Sequence, residues 1–66
     1  MKKAAVARGD RFVKVEDPRT VWVVERVVDV PDPILHVQLF QEGRPQRRRT
    51  LAESVLRDRE FYQKLN

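Results

Sequence analysis

Arg44, Arg47, Arg48 and Arg49 fall within six residues, with no acidic residue between them. A guanidinium is a planar fork of donors that matches phosphate oxygens two at a time and stacks on flat rings. That is the chemistry of nucleic-acid contact, in which each phosphate neutralised adds a salt-dependent increment to affinity. On a strand, Arg47 and Arg49 point to one side and Arg48 to the other. Arg47 and Arg49, with Arg44 on the preceding loop, are the preferred phosphate ligands. Phe40, at the loop edge, and Tyr62 are the candidate stacking partners. Lys2, Lys3 and Arg8 would add to the field. The competing reading is a solvated edge, charged against strand-to-strand aggregation, whose arginines pair with Glu42, Glu53, Asp58 or Glu60.

Enzymatic chemistry is poorly supplied. His36 is the only side chain that ordinarily titrates near neutrality, and a lone histidine on a strand reads as structural. Thr50 and Ser54 are better explained as helix caps than as nucleophiles. Asp29 and Asp32 flank a proline turn and read as turn residues. No clustered ligand set suits a metal. With two glycines in the chain, there is no phosphate-cradling loop. A non-enzymatic protein without cofactor or metal is expected.

Composition narrows the class further. Sixty-six residues make one domain, near the lower limit at which a core offsets chain entropy. With no cysteine, stability must come from the core or from self-association, and any redox compartment is allowed. Fourteen Lys/Arg against ten Asp/Glu give a formal +4. Cut at Pro33, the first half carries +1 (seven basic, six acidic) and the second +3 (seven basic, four acidic), so the excess follows Gly43. The apolar runs are too short to span a membrane. Four apolar residues between Lys3 and Arg8 are too few for a secretory signal, and a cytoplasmic location is expected.

The elements that must position the arginines are mostly strands. Residues 1–8 read as a flexible basic arm and residues 9–66 as the single folded domain. Gly9-Asp10 is a turn signal. Arg11–Glu16 alternates Val13 and Val15 with Lys14 and Glu16, a strand pattern. Asp17-Pro18-Arg19-Thr20 reads as a turn. Val21–Val30 holds six valines and Trp22 in ten residues, a long strand by propensity. Neither of its faces is purely apolar, and a bulge near Glu25-Arg26 would put Val27 with Trp22 and Val24. Pro31-Asp32-Pro33 ends it. Ile34–Phe40 is a third strand with Leu35, Val37 and Leu39 on one face. Gln41–Gln46 is a polar loop, and Arg47 begins a fourth strand. The tail has two readings. Thr50–Glu53 fits a capping box starting a helix to Leu65, or Ser54 caps one turn over Val55–Asp58 before a closing strand at Glu60–Gln63. The second is preferred because a small sheet needs its edges covered. Phe12 and Trp22 are assigned to the core, since so small a domain cannot spare its aromatics.

This order resembles a small SH3-like β-barrel: about five antiparallel strands, with one short helical turn before the last. Gly9-Asp10-Arg11-Phe12, Trp22-Val23-Val24 and Ser54-Val55-Leu56 carry the likeness, which covers residues 9–63. It resembles short, uncharacterised bacterial barrel proteins and is more distantly similar to KOW and Tudor-type modules. Plasmid-borne type II dihydrofolate reductases resemble the chain in size and in the Gly-Asp opening. Their pore uses a Val-Gln-Ile-Tyr-type stretch, however. The nearest stretch here, Val37-Gln38-Leu39-Phe40, lacks the tyrosine hydroxyl, so reductase activity is not implied.

Two functions of different class are consistent with this. One is nucleic-acid binding, to DNA or RNA, through Arg44, Arg47, Arg48, Arg49 and Phe40, with little sequence reading because phosphate contacts carry none. The other is a protein-interaction or accessory module, self-associating as a homodimer or binding another chain through an apolar patch of Ile34, Phe40, Phe61 and Tyr62.

Overall fold

A computed structural model describes residues 5–28 and 34–65. The expected basic residues Lys2 and Lys3, the Pro31-Asp32-Pro33 turn, Asp29 and Val30 lie outside them. The chain is mainly β: five antiparallel strands in one sheet and one short helix. β1 (Arg11–Lys14), β2 (Asp17–Val28), β3 (His36–Gln41) and β4 (Arg44–Ala52) form a meander. α1 (Glu53–Leu56) then turns the chain so that β5 (Tyr62–Lys64) lies beside β1, giving the order β4-β3-β2-β1-β5.

The two hairpins at one end share a construction that the sequence reading placed differently. The first turns at Val15-Glu16, not at Asp17–Thr20; Asp17 already pairs with Lys14. The next pair is Val13 with Val21, so Pro18, Arg19 and Thr20 leave the ladder as a three-residue excursion. The second hairpin turns at Glu42-Gly43, and Arg44, expected in a loop, pairs with Gln41. Phe40 then pairs with Arg48, so Pro45, Gln46 and Arg47 form the matching excursion. Each excursion opens on a proline, which cannot donate to a ladder and is tolerated where none runs. The first reversal thus lies ahead of the expected turn, while the second falls inside the expected Gln41–Gln46 loop, whose last three residues are strand. Gly43 adopts φ +88°, a conformation that side-chain-bearing residues enter at a cost.

The bulge expected in the long strand is present. Val24 pairs with Leu39 and Arg26 with Gln38, leaving Glu25 extra. The phase shift lets Val27 pack on the same core as Trp22 and Val24. That core comprises Val6, Phe12, Trp22, Val24, Val37, Leu39, Leu56 and Tyr62, with Leu51 against it. Val6 belongs to the expected arm, and residues 5–8 are tied down: the Ala5 N–H donates to Glu53 and that of Ala7 to Asp10, each at 2.9 Å.

In the tail, α1 is a single turn and no helix runs to Leu65. Ser54 does not cap it; Ala52 stands at the N-cap position with no side-chain cap bond. Instead the Glu53 N–H donates to the Leu35 carbonyl at 2.9 Å, so the residue just before β3 supplies the acceptor that a capping side chain would have offered. The closing strand begins at Tyr62 because Asp58 holds the preceding turn, its carbonyl accepting from the N–H groups of Phe61 and Tyr62.

Candidate functional site

Pairing across the sheet fixes which arginine faces where. Arg49 lies opposite Leu39, which is fully buried, so Arg49 projects toward the core side. Its guanidinium carbon sits 4.6 Å from the centroid of the Trp22 ring, and its Nη1 donates to Tyr62 Oη at 3.3 Å. That contact joins β4 to β5, the two outermost strands. In a flat sheet they would be about 19 Å apart, beyond an arginine's reach, so the sheet is curled with Arg49 across its open side. Burying the ring and the arginine stem together is favourable because the stem is apolar and the cation meets the electron-rich ring face.

Arg48 faces the other way. It lies opposite Phe40, itself opposite Val23, and its Nε donates to Glu25 at 3.0 Å. The residue extruded by the β2 bulge therefore neutralises the middle arginine of the triplet. Phe40 is half-buried in that outer row, on the face opposite Arg49. Tyr62 is 4% exposed and contributes its hydroxyl rather than an open ring face.

Arg44 and Arg47 are exposed, and neither guanidinium has an ion-pair or hydrogen-bond partner among the described residues. Arg47 and Arg49 line a cleft of about 260 Å³ at the hairpin end of the sheet. Trp22, Gln41, Lys14 and Thr20 complete its interior, and Glu16 and Asp17 stand on the side of the first hairpin. Asp17 accepts from the Thr20 hydroxyl at 2.8 Å, and Glu16 lies 4.0 Å from Lys14. The cleft is thus cationic along β4, while the first hairpin brings both Lys14 and the carboxylates of Glu16 and Asp17 to it. The Gln41 Oε1 is buried without a hydrogen-bond partner, a costly arrangement.

A second basic region was not singled out from the sequence. Arg57, Arg59 and Lys64 surround a cleft of about 290 Å³ floored by Phe12, Leu56 and Tyr62. Asp58 and Glu60 alternate with these arginines in the sequence and suggest neutralisation. In the fold the Asp58 carboxylate instead accepts from the Glu60 N–H at 3.0 Å. Turn chemistry around Asp58 is the signal that could have revealed it. Tyr62 connects the regions, its ring lining the second cleft and its hydroxyl reaching Arg49.

The remaining candidates stay apart. Thr50 is exposed opposite Gln38, Ser54 is exposed on α1, and His36 pairs with Ala52 at the start of β3. Among the described residues no group of three or more His, Asp or Glu is placed to hold a metal, and no helix is long and apolar enough to cross a membrane. The suggested apolar patch is not a single surface, because Tyr62 is in the core. Exposed Phe61 instead adjoins exposed Val15, whose N–H donates to the Phe61 carbonyl at 2.8 Å. No protein-family model matches the chain, and neither a curated protein nor a solved structure shows significant similarity to it.

Proposed function

We propose that the protein is a non-enzymatic SH3-like barrel module that binds nucleic acid along the cationic side of the hairpin-end cleft. The four-strand meander, the single helical turn and the return of β5 to β1 support the barrel assignment. The observation that carries the binding assignment is the pair of exposed arginines, Arg44 and Arg47, without a partner among the described residues and beside a cleft lined by Trp22 and Arg49. An ion-paired arginine must give up its carboxylate to bind phosphate; among the described residues these two have none to give up. Arg44 and Arg47 make the phosphate contacts, Arg49 holds the cleft open on its ring, and Arg48 is released from that role by Glu25. Such contacts confer affinity with little sequence reading.

Fluorescence anisotropy with a labelled single-stranded oligonucleotide across a salt series tests this. Binding weakens as salt rises. Arg44→Ala with Arg47→Ala lowers the slope of log affinity against log salt by about 1.4, at about 0.7 per phosphate on a single strand. Arg48→Ala leaves the slope unchanged. Salt-independent binding, or an unaltered slope in the double variant, contradicts the proposal.

One observation favours a second reading, a protein-interaction or self-associating module. Val15 and Phe61 are adjacent and respectively 49% and 50% exposed. Light scattering on the protein and on Phe61→Glu measures it. A dimer that dissociates in the variant supports this reading, and a monomer in both removes it.

A further inference from the structure

We infer that the groove along β5 is a second phosphate site, lined by Arg57, Arg59 and Lys64, and that one single strand runs between it and the hairpin-end cleft. The inference takes its ligand class from the nucleic-acid reading above and adds a second contact region and a path. Two adjoining clefts, of about 290 and 400 Å³, share Arg59, Tyr62 and Lys64, and Arg57 adds to the cationic side of the first. No Asp or Glu lines either of them. Asp58 and Glu60 alternate with the two arginines but stay out of both clefts, and the Asp58 carboxylate accepts from the Glu60 N–H at 3.0 Å. Arg57 and Arg59 are exposed, and neither guanidinium has an ion-pair or hydrogen-bond partner among the described residues. Lys64 is less available, because its ammonium lies 3.5 Å from an Asp10 carboxylate oxygen. A groove lined by cations alone favours an anion more than a surface of mixed sign does, since no carboxylate within it repels the ligand. Two links join this groove to the hairpin-end cleft. Arg49, in the hairpin-end cleft, donates to the hydroxyl of Tyr62, which lines both β5 clefts. Lys14, also in the hairpin-end cleft, pairs with Tyr62 across β1 and β5, and the next residue, Val15, lines the larger β5 cleft. A backbone laid across this seam meets Arg47 at one end and Arg59 and Arg57 at the other. A flexible single strand can follow such a curled path, its backbone tracking the cations.

Fluorescence anisotropy over a salt series tests this with two labelled oligothymidylates, one of about 16 nucleotides and one of about 4, the range of site sizes in small strand-binding barrels. On the long strand, Arg57→Ala with Arg59→Ala lowers the slope of log affinity against log salt by about 1.4, at about 0.7 per phosphate. Arg44→Ala with Arg47→Ala lowers it by the same amount, and the four substitutions together by about 2.8, because separate contacts add. The short strand occupies one region at a time, so either pair removed alone leaves its slope unchanged. All four side chains are exposed, and circular dichroism verifies the fold of each variant. An unaltered slope on the long strand after Arg57→Ala with Arg59→Ala overturns the inference. If Arg44→Ala with Arg47→Ala still lowers it, the nucleic-acid reading stands at the hairpin-end cleft alone; if neither pair does, both fall. A drop seen only with the Arg57 and Arg59 pair removes the hairpin-end cleft and with it the shared path. Equal drops on the two lengths overturn the bridging strand. Displacement of the long strand by polyglutamate at equal concentration of charge assigns the groove to an acidic protein segment instead and overturns the inference as well.

Discussion

Arg48 and Arg49 are neighbours in sequence on opposite faces of β4, and their replacement by alanine separates a packing arginine from a surface one. Arg49 stacks 4.6 Å from the Trp22 centroid, a half-buried contact contributing about 1 kcal/mol. Its 3.3 Å bond to Tyr62 is long and adds about 0.5 kcal/mol. Its stem covers apolar core surface for a further ~0.5 kcal/mol. Arg49→Ala is therefore expected to destabilise the fold by about 2 kcal/mol, lowering the midpoint of thermal unfolding by roughly 10 °C in a domain of this size. Arg48→Ala loses one exposed pair with Glu25, under about 1 kcal/mol, and a few degrees at most. Arg49→Lys keeps the charge but not the planar stack and falls between them. Urea and thermal unfolding followed by Trp22 fluorescence, with circular dichroism as a second probe, supply the measurement. Equal losses for Arg48→Ala and Arg49→Ala, or an unchanged midpoint for Arg49→Ala, would refute the assignment of Arg49 as the brace between the outer strands.

Leu39 is fully buried at the centre of the sheet, and Leu39→Ala should cost about 2–5 kcal/mol, enough to leave much of so small a domain unfolded by circular dichroism at room temperature. Gly43→Ala meets no neighbouring atom within 4 Å but must adopt φ +88°; a loss of about 1–2 kcal/mol in urea unfolding follows from the backbone alone. The Arg11 guanidinium donates to both oxygens of Glu42, and that hydrogen bonding, then the carboxylate's charge, raises its pKa above the ordinary guanidinium value. A pKa raised on folding contributes stability below the unfolded value and loses it as pH rises through the folded one. Arg11 therefore adds no slope to stability between pH 5 and 9, and urea midpoints of Glu42→Gln and the unaltered protein should differ by a constant amount across that window.

Much of the strand framework was legible because valine runs and alternation report local geometry. The Glu25 bulge was readable from the broken phase of Trp22, Val24 and Val28, since only an extra residue returns Val27 to the apolar side. The fate of the arginines was not readable in the same way. Arg48 finds Glu25 across two strand neighbours, and Arg49 finds Trp22 and Tyr62 only once the sheet curls. The placement of Phe40 was not readable either, because its distance along the chain from the arginine run says nothing of register; pairing puts it in the row of Arg48 and not of Arg49. The first hairpin turn lies ahead of the expected one, and the second loop is shorter than expected, because Pro18 and Pro45 signal a departure from the ladder without saying whether the chain reverses there. Ser54 lost its capping role to the Leu35 carbonyl, a partner nearly twenty positions away along the chain.

The two proline-led tripeptides, Pro18-Arg19-Thr20 and Pro45-Gln46-Arg47, stand outside the paired ladder, which shifts register across each while the residues on either side stay paired. They behave as interchangeable inserts at the same mouth. Exchanging or lengthening either one would redraw the rim, and with it ligand preference, without repacking the interior. The scaffold therefore separates inheritance of its shape from variation of its selectivity, and a library confined to those six positions could be screened for new ligands on an unaltered core.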